Sequence, residues 1–307
     1  MLEARELSRQ YGSTRAVDEV SFGVEAGEVV GLLGPNGAGK TTVMKMLTGF
    51  LEPTSGQVLL DGKAMAAHRR SLQRRIGYLP ENCPIYPDMT VVDYLDYQAV
   101  LHGVPASERP GRVRDAIRRA ALDDYALAPV SALSRGYRQR TGVAQAILHG
   151  PDVVILDEPT NGLDPEQIRE MRRLIRSLAE HAAVLVSTHI LQEVQAVCDR
   201  VLMLRQGRLA LDSRLDELGG SNRLLVSVDA ALEDVRGIVG DLTGVDGIED
   251  LAGDGAARRY AVATRGEASE LAPQLARRLQ DAGLSLYALS PETRDLETIF
   301  AEVNSDN

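Results

Sequence analysis

The sequence predicts an α/β fold: a doubly wound domain on a mainly parallel sheet, followed by a small α+β domain. Three observations carry this. Short apolar runs at Val29–Leu33, Val153–Leu156 and Val184–Ser187 each lead through a polar loop into a helical pattern, as buried parallel strands with crossover helices require. A glycine-rich loop joins the first run to its helix. Beyond residue 222 the order changes to βαββαβ plus a final helix, a split-βαβ arrangement.

Composition bounds the answer. The chain has 307 residues and a formal net charge of −10, with 44% hydrophobic and 25% charged residues. That balance and length suit a globular protein with one large domain, or a medium domain plus a small one. No run approaches the ~18–20 apolar residues needed to span a bilayer, and the Met1–Glu6 start lacks a basic-then-apolar signal. Cys83 and Cys198 make no disulfide framework or zinc site. A collagen, coiled coil, secreted mini-protein or membrane channel is excluded, and a cytoplasmic protein is expected. Residues 222–307 hold 16 acidic and 8 basic residues, a balance that repels nucleic-acid backbones. Lysine occurs only at 40, 45 and 63, against 31 arginines, which makes a lysine in a demanding place informative.

The elements follow in order. Glu3–Tyr11 and Val17–Val24 read as strands of an antiparallel sheet. Val29–Leu33 is the first buried strand. Gly39–Thr48 is helical and stops at Gly49. Gln57–Leu60, followed by Asp61-Gly62, reads as a strand and hairpin turn. Residues from about 83 to 150 form a mostly helical subdomain; Val113, Ile117 and Ala121 share an apolar helical face opposite arginines. A helix from about Gly136 ends at Gly150 before Pro151. The first domain is expected over 1–215, a boundary near Leu218–Asn222, and an accessory ferredoxin-like domain over 222–307. In the latter Leu271, Leu275 and Leu279 mark one helix, with Pro273 disturbing its first turn. Leu296, Ile299, Phe300 and Val303 stripe the last helix. There is no internal repeat.

The chemistry starts at Gly34-Pro35-Asn36-Gly37-Ala38-Gly39-Lys40-Thr41, with Thr42 following. It matches G-x-x-x-x-G-K-[ST] between a buried strand and a helix, the context that motif requires. Glycines let backbone N–H groups turn onto phosphate oxygens, and the helix N-terminus adds positive potential. Lys40 supplies charge to the β/γ-phosphates, and the Thr41 hydroxyl can bind Mg²⁺. The strand Val153–Leu156 runs into Asp157-Glu158. Asp157 is assigned to Mg²⁺. Glu158, projecting differently, takes a proton from the attacking water or orients it. This defines a P-loop ATPase.

Taken with Leu133-Ser134-x-Gly136-x-x-Gln139-Arg140, these blocks resemble an ABC-transporter ATP-binding subunit over residues 1 to about 215. The signature residues are similar to those of members serving gliding motility, nitrous-oxide-reductase maturation and drug export. The resemblance implies further roles. Tyr11 stacks on adenine. Glu81 stands where most members bind Mg²⁺ through glutamine. Asp164, in Asn161-Gly162-Leu163-Asp164-Pro165, lies on the loop by which two subunits meet. His189 touches the γ-phosphate and joins Glu158 and Lys40 as catalytic residues. Ser134 and Gly136 cover the nucleotide of a partner subunit, so two ATP are sandwiched in a head-to-tail dimer, expected to be a homodimer. Two positions depart from the commonest signature: Arg135 for glycine and Tyr137 for glutamine, with Arg135 read as a solvated side chain. The implied function is to energise a transporter, an exporter by subgroup, through a separate transmembrane permease whose coupling helix meets the surface around Pro84–Tyr97. That places the protein peripherally on the cytoplasmic face of the membrane, with ATP and Mg²⁺ as cofactors and no nucleic-acid partner. The alternative is a soluble ABC-type ATPase acting on ribosomes or DNA; such proteins carry two ATP sites per chain or long coiled coils, and this chain has neither.

Overall fold

Alternating burial along Leu2, Ala4 and Leu7, and along Val17, Val20, Phe22 and Val24, gives two strands with one wet and one apolar face. These are β1 (Leu2–Tyr11) and β2 (Thr14–Val24), paired antiparallel. They are seen in a computed structural model that describes residues 1–218, 222–240, 242–251, 257–266, 268–292 and 296–305. The chain divides into two compact units, Met1–Arg214 and Leu215–Asn307.

In the first unit, β3 (Val29–Leu33) is buried along its whole length, as its unbroken apolar run predicts. It leads into α1 (Lys40–Leu47), which stops at Gly49, φ +69°. Strands β4 (Ser55–Leu60) and β5 (Lys63–Ala64) are joined by Asp61 and Gly62, φ 49° and 74°; two left-handed residues make the type I′ turn that strand twist favours. Next come α2 (Met65–Gln73) and β6 (Ile76–Leu79). The helical subdomain holds α3 (Val91–Leu101), α4 (Arg109–Arg119) and α5 (Arg135–Ile147). The wound sheet resumes with β7 (Val153–Asp157), α6 (Pro165–Ala179), β8 (Ala183–Thr188), α7 (Leu191–Val197), β9 (Arg200–Arg205) and β10 (Arg208–Arg214).

The large sheet runs β10-β9-β3-β8-β7-β6. Its pairs are parallel except for β10 on β9. One face of β3, β7 and β8, with Val30, Leu32, Ile155 and Leu185, shares a core with α1, β1, β2 and β4. The helix α1 is therefore enclosed between the parallel sheet and the antiparallel β2-β1-β4-β5 sheet. The other face carries α6 and α7. At Gly31 a Cβ would stand 2.9 Å from Cys198 Sγ, so β3 and α7 approach as closely as they do only through a missing side chain.

One expected face is corrected. Val113 and Ile117 are buried, but Ala121 is exposed, with φ 51°. The α4 helix ends at Arg119, and Ala121 and Leu122 donate to Arg118 O and Ile117 O in a left-handed stop. Ala116 and Ala120 complete the buried face instead.

The second unit opens with α8 (Leu215–Leu218), then β11 (Arg223–Val228), α9 (Leu232–Val239), β12 (Val245–Leu251), β13 (Arg258–Thr264), α10 (Ala268–Asp281), β14 (Leu286–Pro291) and α11 (Leu296–Ser305). The sheet order β12-β13-β11-β14, antiparallel throughout, is that of a split-βαβ fold. Leu224, Val226, Val228, Tyr260 and Val262 pack with Leu271, Leu275 and Leu279 of α10. Pro273 lies inside that helix rather than in its first turn. Of the expected α11 stripe, Leu296 is buried; the side chains of Ile299 and Val303, and residues 219–221 at the expected boundary, lie outside the described residues.

Candidate active site

The end of β3 fixes the site. Gly34 follows it directly, where a Cβ would stand 2.5 Å from Leu204 O on β9; only glycine lets the loop turn so close to the neighbouring strand. Gly39, at φ +104°, caps α1 without a side-chain hydrogen bond. The first N–H groups of α1 are therefore left for a ligand. Pro35 to Thr42 line a cleft of about 270 Å³, together with Ala16, Glu81, Asp157, Glu158, Asn161 and His189.

Lys40 is 7% exposed, and its Nζ donates to Gly34 O at 2.6 Å and Pro35 O at 3.3 Å. Burial lowers its pKa, while the charges of Glu158, Asp157 and Glu81 act in the opposite sense. The ammonium offers polyphosphate a point charge, while the three carboxylates beside it oppose an anion unless a cation offsets them.

Asp157 ends β7 and is 2% exposed. Ser187 Oγ donates to its Oδ1 at 2.5 Å, whereas Oδ2 is buried without a protein partner. An orphaned carboxylate oxygen at this depth suits a cation. With Glu81 and Thr41 on the same cleft, the donor set is all oxygen, as Mg²⁺ prefers. Among the described residues no cluster of three or more His, Cys, Asp or Glu forms a metal cage. That agrees with an ion held by one or two carboxylates plus substrate phosphates.

Glu158 sits one residue on, with φ 49°. Its N–H donates to Ser187 O and Oγ, both at 3.2 Å. This left-handed backbone costs about 1–3 kcal/mol. Both Glu158 oxygens lie 3.0 Å from His189 Nδ1. The pair shares the cleft with the phosphate loop and can offer an oriented acceptor to a molecule bound there.

The structure thus gathers Pro35 to Thr42, Glu81, Asp157, Glu158 and His189 on one cleft, while Gly34 does not line it and accepts from Lys40 Nζ. Tyr11, Ser134, Gly136 and Asp164 do not line this cleft. Tyr11 is 47% exposed at the end of β1, with the Arg9 guanidinium 4.9 Å from its ring centre. Ser134 caps α5 by accepting from Tyr137 N at 3.4 Å, and Asp164 caps α6 by accepting from Glu166 N and Gln167 N at 3.0 and 2.9 Å. Sequence reasoning passed over Ala16, Asn161 and Ser187. Ser187 could have been found from strand register, since it stands opposite Asp157 in the β7–β8 pair.

A glycine loop over a helix N-terminus, a buried lysine, and an acidic strand end with one unpartnered carboxylate oxygen and one carboxylate held by a histidine together define a P-loop ATPase. Comparisons with known proteins narrow this. Residues 17–161 match the ABC transporter family model. The bacitracin transport ATP-binding protein BcrA of Bacillus licheniformis is 37% identical over 73% of this chain and 72% of its own length. The Nod factor export ATP-binding protein I of Ralstonia nicotianae is 37% identical over 71% of this chain and 68% of its own. A solved ATP-binding subunit of an ABC transporter superposes with TM-score 0.65 at 31% identity, over 71% of this chain and 91% of the other. The protein belongs to the ATP-binding subunits of ABC transporters and is an ATP hydrolase of that family.

Proposed function

We propose that two copies of this protein bind two ATP head to tail and drive an exporter through a separate transmembrane permease. The observation that carries the dimer is the separation of the site into two halves. The cleft offers donors from its own loop, while Ser134 and Gly136, at a second helix N-terminus, line no part of it. A second copy's α5 would complete the shell around the γ-phosphate. Asp157, Thr41 and Glu81 would hold Mg²⁺, which, when bound, offsets negative charge on the phosphate oxygens. Glu158, oriented by His189, would accept the proton of the attacking water, with Lys40 stabilising charge on the γ-phosphate.

Export is supported by the similarity to the Nod factor export protein. Among the described residues no helix is long and apolar enough to cross a membrane, which supports a permease on a separate chain. A groove of about 850 Å³ lined by Phe50, Tyr78, Pro84, Leu101 and His102 suits a coupling helix. Phe50 and Leu101 are 70% and 62% exposed there, as an interface anchor would be. The acidic 222–307 segment argues against ribosome or DNA as the partner.

The test is the Glu158→Gln variant in Mg-ATP. It should bind nucleotide, fail to hydrolyse it, and elute as a dimer. A monomer at saturating ATP overturns the reading.

A further inference from the structure

The two departures in the signature segment include an arginine at the first position of α5. A cation there opposes the positive end of the helix dipole, and no acidic residue in the first turn balances it. The structure shows where the charge goes. At Gly162, φ +71°, the place a Cβ would occupy is 2.5 Å from both Cζ and Nη1 of Arg135, and 2.8 Å from Nε. Arg135 is exposed, as the solvated reading expects, yet its guanidinium lies against the Gly162 backbone rather than reaching freely into solvent. The converse contact is made one residue along. At Gly136 a Cβ would stand 2.5 Å from Cδ and Oε1 of Gln167, on the first turn of α6. Each long side chain rests its polar end where the facing glycine carries no side chain.

These contacts join two places with different duties. Arg135 and Gly136 flank the anion-facing start of α5. Gly162 and Gln167 flank Asp164, and the same loop begins at Glu158. Asn161 N donates to Glu158 O at 3.1 Å and Leu163 N to Thr160 O at 3.2 Å, while Asn161 lines the nucleotide cleft. The loop is thus a compact turn, with Glu158 at one end and the Arg135 contact near the other.

We infer that the reciprocal Arg135–Gly162 and Gln167–Gly136 contacts lock the signature segment and the Glu158–Asp164 loop into one body, making Arg135 a positioning residue for Glu158. This deepens the two-subunit reading and rests on it. The start of α5, serving the partner's nucleotide, then moves together with the loop that serves the subunit's own. Engagement of one site is transmitted to the carboxylate of the other without any contact between the two nucleotides. A planar guanidinium suits the flat seat; a lysine ammonium does not.

The experiment compares Arg135→Ala, Arg135→Lys, Gly162→Ala and the Arg135→Ala/Gly162→Ala double variant in the full chain. Steady-state kcat, KM for Mg-ATP, and Tm are measured. Arg135→Ala is expected to lower kcat at least fivefold, with KM within twofold and Tm unchanged, and Arg135→Lys not to restore it. The double variant should fall within twofold of the worse single variant, because both changes break one contact. Wild-type kcat in Arg135→Ala, a loss confined to KM, or losses that multiply in the double variant would overturn the interlock. If Glu158→Gln is dead while Arg135→Ala is fully active, the interlock alone fails. If Glu158→Gln also turns over normally, the underlying reading fails with it.

Discussion

Two helices in this protein begin at glycine-containing segments, and they begin differently. The α1 N-cap is Gly39, left-handed and without a side-chain hydrogen bond, inside a walled cleft. The α5 N-cap is Ser134, exposed, with its hydroxyl oxygen already accepting from Tyr137 N. The first leaves donors unfilled and surrounds them with protein. The second satisfies one donor from its own chain and faces outward. A helix start open to a ligand and walled on its own can hold an anion alone; one capped and unwalled acts when another surface supplies the rest. The contrast explains why a single chain shows a cleft at one segment and none at the other.

The largest effect should come from the walled side. Lys40→Ala removes the cation from the cleft, and ATP turnover should fall on the order of a thousandfold or more, about 4 kcal/mol of lost stabilisation. A coupled ATPase assay checks this, and retained turnover would break the contrast at its stronger end. Next is Glu158→Gln, expected to slow hydrolysis on the order of a hundredfold, about 3 kcal/mol, while leaving nucleotide affinity near normal in an equilibrium binding measurement. The exposed start should respond less and more selectively. Ser134→Asp keeps an oxygen that caps α5 but places a negative charge where an anion is expected. Thermal melting should be unchanged while turnover drops about tenfold, about 1.4 kcal/mol; a fall in Tm with turnover intact would reduce Ser134 to a cap.

The smallest effect lies just beyond the other end of α5. His149 is stacked on His102 at 4.0 Å, and burial, helped by the charges of His102 and Arg112, lowers its pKa to about 4. The unfolded chain takes up that proton near pH 6.5, so the folded state binds fewer protons between the two values. The contribution is fully present above about pH 6.5 and is lost as pH falls towards 4. Melting followed over pH 7 to 4 should show a downward slope that His149→Phe flattens.

Much of this was legible from residues alone. The β3–loop–α1 unit, the acidic end of β7 and the order of the second unit are local patterns, and each element sits where periodicity and glycine placed it. What escaped notice depended on neighbours. The strand β6 is four residues long and includes Gly77, whose missing Cβ accommodates Ala146 O of α5; nothing in so short a run signals a strand. β9 and β10 went unread as well, since β9 gains its place only by pairing with β3. Ala121 fits a helical face on paper but adopts the left-handed stop because α4 ends two residues earlier. Asp164 was read as an intersubunit contact, and its capping of α6 shows only in three dimensions. Arg135 is exposed, as read, but its contact with a glycine 27 residues away could not be seen from the sequence.

The strained backbone at Glu158 has a consequence for how this enzyme tolerates change. Glycine at that position would relax the left-handed turn and, under the role proposed for Glu158, abolish turnover in the same stroke. Selection for heat resistance alone would therefore drift towards an inert protein, and any breeding of hardier variants has to screen for activity at every round.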